Sequence, residues 1–156
     1  NFDFHADKFD SDNNPIQLID QVSGDMILFE VSYNIIEFAF AKASRIAEVE
    51  ERLGTYLSMI QPYLRDHNHE LQGWGVNPNW AKNDNRPVKS PRYKMLMNFL
   101  ELSKAKNDPF FHDYPEYGSF ICGSQVQLDV SKTSYSRVLN AFNQIEGPKA
   151  VLLANS

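Results

Sequence analysis

Polar residues recur at every second position in one otherwise apolar stretch. In Ser124-Gln125-Val126-Gln127-Leu128-Asp129-Val130, three polar side chains alternate with three apolar ones. A period of two sends successive side chains to opposite faces of a strand. The stretch predicts a strand over 119–130 with one face on a core and the other carrying amides and a carboxylate. Upstream, Glu37 interrupts the apolar run Ile35-Ile36-Glu37-Phe38-Ala39-Phe40, and Glu30 closes Met26-Ile27-Leu28-Phe29. These runs predict strands over 26–31 and 35–41, joined through Ser32-Tyr33-Asn34 as a hairpin.

Elsewhere the period lengthens. Ile46, Val49, Leu53, Leu57, Ile60 and Leu64 recur at steps of three and four, which predicts a helix over 44–66 with Ser44 as its cap. Pro62 is expected to kink its last turn. Glu70 to Val76 predicts a strand in which Gly73 and Gly75 leave space on one face. Residues 77–89 form a polar loop. Ser90-Pro91 opens a second helix whose buried side is Tyr93, Leu96, Met97 and Leu100. Residues 106–118 predict a loop rich in Pro, Phe and Tyr. A third helix spans 132–146 on a stripe of Tyr135, Val138, Leu139, Phe142 and Ile145. Gly147-Pro148 ends it, and Pro148 opens a last helix. Residues 1–25 are mixed: Phe2-Asp3-Phe4 suggests a short strand, and Asp10 to Pro15 reads as a turn. That turn lacks the glycine and the final Glu of a calcium loop. The fold class is α+β, a mostly antiparallel sheet with helices packed on one face and the other face concave and polar.

Composition narrows the function classes. The chain has 156 residues, enough for a single domain over 1–156, and is 42% hydrophobic, so it is globular. A net charge of −5 argues against a nucleic-acid surface. The apolar stretches are far shorter than the roughly 20 residues of a membrane span. Cys122 is the only cysteine, so no internal disulfide forms and a cytoplasmic setting is expected. Cys122 itself reads as a small buried apolar residue.

Three sites carry candidate chemistry. Glu30 and Glu37 sit in strands so apolar that they need partners, and hard cations such as magnesium prefer carboxylate oxygens. The alternative is an edge-strand Glu facing water or an ion pair. Gln125, Gln127 and Asp129 offer a polar face, with a solvated outer face as the alternative. Arg92, in the first turn of its helix, opposes the helix dipole and suits a carboxylate or phosphate ligand; a surface Arg is the alternative. His67 and His69 read as a polar turn, and His5 and His112 have no companions. No glycine-rich phosphate loop and no nucleophile elbow occurs.

Taken in order, the segments Phe29-Glu30-Val31-Ser32-Tyr33-Asn34-Ile35-Ile36-Glu37-Phe38-Ala39, Gly73-Trp74-Gly75-Val76-Asn77-Pro78 and Val88-Lys89-Ser90-Pro91-Arg92-Tyr93 form a series. Cys122-Gly123-Ser124-Gln125-Val126-Gln127-Leu128-Asp129-Val130 and Leu153-Ala154-Asn155-Ser156 continue it. The series resembles the glutamate–cysteine ligase family, closest to its plant and proteobacterial branch. The resemblance implies a piece of a glutamine-synthetase-like catalytic domain, roughly a third to a half of it and inactive alone. It implies phosphorylation of the glutamate γ-carboxylate by MgATP, then attack of the cysteine amine on the acyl phosphate. This is the first step of glutathione synthesis.

By position, the resemblance makes Glu30 and Glu37 metal ligands for Mg2+. Gln125 and Gln127 become substrate-binding residues, and Arg92 a catalytic and substrate-binding residue paired with a carboxylate or phosphate. Tyr93 is expected to pack rather than contact. The implied partners are glutamate, cysteine and ATP, with no nucleic acid and no membrane; a truncated sheet also invites a homodimer through its edges. Three departures stand out. Ser32-Tyr33-Asn34 replaces the family's Gly-Gly, and Lys94 stands where the family often has Asp. Glu30 and Glu37 are also separated by one residue more than in the plant-type motif. On one regular strand that odd spacing sets them on opposite faces, so a bulge or turn at 32–34 restores the match or only Glu37 is a ligand. The competing reading is a non-catalytic amino-acid-binding or structural module built on the same fold.

Overall fold

The structure is a computed structural model that describes residues 2–105 and 115–153. The chain divides into two units, Asn1–Cys122 and Gly123–Ser156. The first unit holds a sheet of four strands, β1 (Phe4–Phe9), β2 (Pro15–Asp20), β3 (Met26–Phe29) and β4 (Ile36–Ala39), in the order β1-β2-β3-β4. Every neighbouring pair is antiparallel. Helix α1 (Ile46–Asp66) follows, then α2 (Pro91–Ala105) and a 3-10 turn at Pro115–Ser119. The second unit carries α3 (Tyr135–Leu153). The α+β class with an antiparallel sheet is therefore as the sequence suggests. Among the described residues no helix is long and apolar enough to cross a membrane.

Side chains directly opposite each other in a ladder share a face. The registers Phe4↔Asp20, Leu18↔Ile27 and Ile27↔Phe38 place Phe4, Leu18, Ile27 and Phe38 together. Tyr56 of α1 packs on this face. Its ring centroid lies 5.7 Å from that of Phe4 and 6.2 Å from those of Phe38 and Phe40. Only 1% of Tyr56 is exposed, so it is the anchor of the helix. The apolar stripe predicted for α1 is half-buried from Val49 to Leu64, but Ile46 is exposed and lies off it. Arg45, not Ser44, occupies the cap position; Glu48 instead reaches back to accept the Ser44 N–H at 3.1 Å.

Three buried aspartates fasten the turns. Asp10 accepts the N–H groups of Asp12 and Asn14 at 2.9 and 2.8 Å and the Tyr33 hydroxyl at 2.6 Å. Asp20 accepts the Ser23 hydroxyl at 2.7 Å and the Asp3 N–H at 2.7 Å. Asp25 accepts the Ala41 N–H at 2.6 Å, Arg52 Nη1 at 3.1 Å and the Tyr56 hydroxyl at 2.6 Å. Burial first, then the bond to Asp25, pushes the Tyr56 phenol up to about 12, so it stays a donor.

Several expectations are corrected. The strand predicted over 70–76 is reduced to one bridge, Val76↔Ile121, flanked by Asn77 N–H to Phe120 O and Cys122 N–H to Gly75 O at 2.9 Å each. The predicted strand over 119–130 meets its partner only there, and residues 122–131 join no strand. Alternation describes which way side chains would point in a ladder, and here no neighbouring backbone extends one. Val126, Leu128 and Val130, expected on a core, are accordingly exposed. Cys122 is exposed rather than buried. Helix α3 runs through Gly147 and Pro148 instead of stopping there. The loop predicted over 106–118 lies outside the described residues as far as 114.

Two outcomes follow for stability. Tyr56→Phe leaves the buried Asp25 short of a donor, so denaturant unfolding followed by circular dichroism should show a loss of roughly 1–3 kcal/mol; an unchanged midpoint would remove the anchor assigned to Tyr56. Asp20 is held down at about 2, from an ordinary 3.8, first by the Ser23 hydroxyl and then by the Asp3 N–H. The unfolded chain therefore binds more protons between these values, and the Asp20 contribution is complete above the upper one and fades as pH falls through the lower. Thermal melts across pH 4 to about 2 should fall more gently in Asp20→Asn than in the parent chain. Parallel curves would refute this role.

Candidate functional site

The two glutamates singled out in the sequence meet at one end of the β3–β4 hairpin. The ladder pairs Leu28 with Glu37 and Phe29 with Ile36, and the Glu30 N–H continues it to Ile35 O at 3.0 Å. Glu37 thus shares a face with Leu28, and Glu30, two residues beyond Leu28, shares it as well. The odd spacing that sets two residues on opposite faces of one strand has no such effect here, because the chain reverses between them. This is the face opposite Tyr56.

The reversal is built on an unusual backbone. The Ser32 N–H donates to Glu30 O at 2.7 Å, closing a γ-turn whose central residue, Val31, has a φ of +58°. A β-branched residue rarely adopts this conformation. Tertiary contacts hold it. Val31 is buried with Val88 and Tyr93, and its carbonyl accepts the Val88 N–H at 2.7 Å. Ser32 is fully buried, and its hydroxyl donates to Ser119 O at 2.6 Å. Ser32-Tyr33-Asn34 is therefore a fixed turn, and with Val31 it supplies the reversal between the two glutamates.

Helix α2 brings the remaining groups. Ser90 precedes its first residue, Pro91, and the Ser90 hydroxyl accepts the Tyr93 N–H at 3.4 Å, as the sequence suggests. Tyr93, 5% exposed, points its hydroxyl at Glu30 Oε2, 3.2 Å away. The expectation that Tyr93 only packs is thus incomplete. Arg92 is exposed, with its guanidinium carbon 5.6 Å from the centre of the Tyr93 ring. No acidic side chain of α2 itself occupies its first turn, beside Arg92.

Charge links these groups. Burial first, then a hydrogen bond and charge from Glu30, push the Glu37 carboxyl above its ordinary 4.5, while the Arg92 charge pulls it back. Burial also raises the Tyr93 phenol above its ordinary 10.0, with Glu30 adding to the shift and Val31 and Arg92 opposing it. The phenol therefore donates to Glu30 at neutral pH.

A row of polar groups continues along the same face. Gln17 pairs with Leu28 across the ladder; its amide nitrogen donates to Asp7 Oδ2 at 2.6 Å, and its oxygen accepts from Lys8 Nζ at 3.0 Å. Sequence reasoning missed Gln17, although its place between Ile16 and Leu18 is the same alternation that marks a two-faced strand. Gln125 and Gln127 belong to the second unit and are exposed there. His67 and His69 form the polar turn expected of them, with His67 Nδ1 donating to Tyr63 O at 2.8 Å and His69 Nδ1 donating to His67 O at 2.7 Å. An apolar groove along α2, lined by Pro91, Lys94, Met95, Asn98, Phe99 and Leu102, shares no residue with the cluster.

The carboxyl pair suits a small hard cation. Among the described residues no group of three or more His, Cys, Asp or Glu side chains converges. Magnesium does not need such a cage, since it typically binds one or two carboxylates and fills its remaining positions with water and substrate phosphates. No protein-family model, no curated protein and no solved structure matches this chain.

The raised Glu37 carboxyl sets a testable pH dependence. The folded state binds its proton more tightly than the unfolded state does, so stability declines as pH rises above about 4.5 through the folded value. Glu37→Gln should melt higher than the parent chain at pH 8 without divalent cations, and the gap should close toward pH 4. A gap that does not vary with pH would contradict the carboxyl pairing.

Proposed function

We propose that this chain is part of the catalytic domain of an ATP-dependent carboxylate–amine ligase of the glutamate–cysteine ligase type. It would join glutamate to cysteine through an acyl phosphate, in the cytoplasm. The reading is supported above all by the Glu30–Glu37 pair, two carboxyl groups on the sheet face opposite Tyr56 with a guanidinium close enough to shift the titration of Glu37. A ligase of this type needs such an arrangement, because the transferred phosphoryl group gathers negative charge that only cations and donors stabilise.

Each residue then has a distinct task. Glu30 and Glu37 would hold Mg2+, which, when bound, supplies the positive charge that draws the nucleotide phosphates and the glutamyl carboxylate together. Arg92 would pair with a substrate carboxylate or phosphate; its exposed guanidinium presents a planar fork of donors suited to either anion. Gln125 and Gln127 would contact substrate through their amides. Gln17 lies on the same face beyond Leu28, where its hydrogen bonds to Asp7 and Lys8 hold its amide in place.

Two measurements test the reading. In the full-length protein, ADP release from MgATP should require both glutamate and cysteine; no ADP with any pair of amino acids would count against it. Calorimetry of the 156-residue chain should show MgATP binding that Glu37→Gln weakens at least about tenfold, roughly 1.4 kcal/mol. Glutamate binding without any nucleotide binding would instead favour an amino-acid-binding module.

A further inference from the structure

We propose that Tyr93 is a positioning residue for the carboxyl pair: its hydroxyl turns Glu30 toward Glu37 and holds it there for a divalent cation. The inference rests on the reading of Glu30 and Glu37 as cation ligands and assigns a residue that reading leaves as packing.

The geometry carries the argument. Glu30 lies where the β3 ladder gives way to the γ-turn, so the strand pairing that orders Leu28 and Phe29 is ending there. A glutamate has several free torsions, and fixing them has an entropic cost of the same order as a good contact. The donor that meets Glu30 is itself immobile. Tyr93 is buried with Val31 and Val88 in the core cluster, and Phe29, Leu96 and Met97 pack against that cluster. The phenol thus reaches the carboxylate from a ring that cannot swing away, and it engages Oε2 at 3.2 Å. One oxygen occupied by a neutral donor leaves the other oxygen for a second partner without cancelling the charge of the carboxylate. A lysine or arginine in the same place would cancel that charge and compete with a cation. Groups that hydrogen-bond a ligating carboxylate commonly change metal affinity by roughly 10–100-fold when removed.

Tyr93 also ties the pair to the turn. Val31 is at once the strained centre of the γ-turn and a wall of the Tyr93 site. The backbone that aims Glu30 and the side chain that steadies it therefore belong to one packed cluster.

Mn2+ alone is the probe, titrated into the chain and followed by its electron paramagnetic resonance signal, with thermal melts as the check on folding. Tyr93→Phe keeps the buried ring and removes only the hydroxyl, so it should melt near the parent chain and bind Mn2+ about tenfold more weakly. Leu100→Ala, a buried change on the same helix, should lower the melting temperature and leave Mn2+ affinity alone. In the Glu30→Gln background, Tyr93→Phe should have no further effect, since the carboxylate it steadies is gone. If Glu37→Gln abolishes Mn2+ binding while Tyr93→Phe matches the parent chain, the positioning role is wrong and the ligand reading stands. If Glu37→Gln also binds like the parent chain, both are wrong. Equal losses in Leu100→Ala and Tyr93→Phe would reduce Tyr93 to a packing residue.

Discussion

The arrangement depends on Asp25. It is fully buried at the entrance to β3, and it accepts the N–H of Ala41 at the exit of β4. One carboxylate thereby bridges the open end of the hairpin and fixes which residues face each other along it. The register Leu28↔Glu37 follows from that bridge. A slip by one residue would send Glu37 to the Tyr56 face, into contact with aromatic rings. The same carboxylate receives Arg52 and Tyr56, so the alignment of the strands and the docking of α1 are secured by one group. An isolated buried charge is costly, and here three donors surround it.

At the opposite end of the hairpin the balance is different. A β-branched residue with positive φ costs on the order of 1–2 kcal/mol. Val31 nonetheless stays there, because its side chain fills the cluster with Val88 and Tyr93 and its carbonyl is bonded to Val88. Burying a valine side chain stabilises by roughly 1.5–3 kcal/mol, which offsets the strain. A glycine would relax the backbone and empty the cluster. This chain makes its reversal with a packed side chain instead of a glycine.

Some of this was legible from the residues and some was not. The hairpin over 26–41 showed two apolar runs, α1 a helical stripe and α2 a cap with a proline behind it, and each stands within a few residues of where these signals placed it. Strand β1 was hidden because it is an exposed edge: its sequence, Phe-His-Ala-Asp-Lys-Phe, carries charges that suit solvent and a register shift near Asp7 that breaks the alternation. Residues 124–130 mislead in the opposite way, since a perfect alternation cannot show whether a partner strand exists. Glu30 and Glu37 stood out because charge inside or at the end of an apolar run demands an explanation, and Arg92 because a cation in the first turn of a helix opposes its dipole. The Tyr93 hydroxyl gave no such signal. A tyrosine on a buried helix face looks like packing until the fold brings a carboxylate to its tip.

The turn between β1 and β2 reaches further than its length suggests. Asp10 takes the hydroxyl of Tyr33, the Ser11 N–H donates to Lys89 O at 3.0 Å, and Asp12 is paired with the Lys89 ammonium. Those contacts land on the segments just after Val31 and just before Arg92. A proteolytic nick at Ser11 or Asp12 would touch no candidate ligand, yet it would untie the knot that brings the hairpin loop and the helix start side by side. The amino-terminal ribbon is in that sense a brace for the carboxyl pair, acting from far away in sequence.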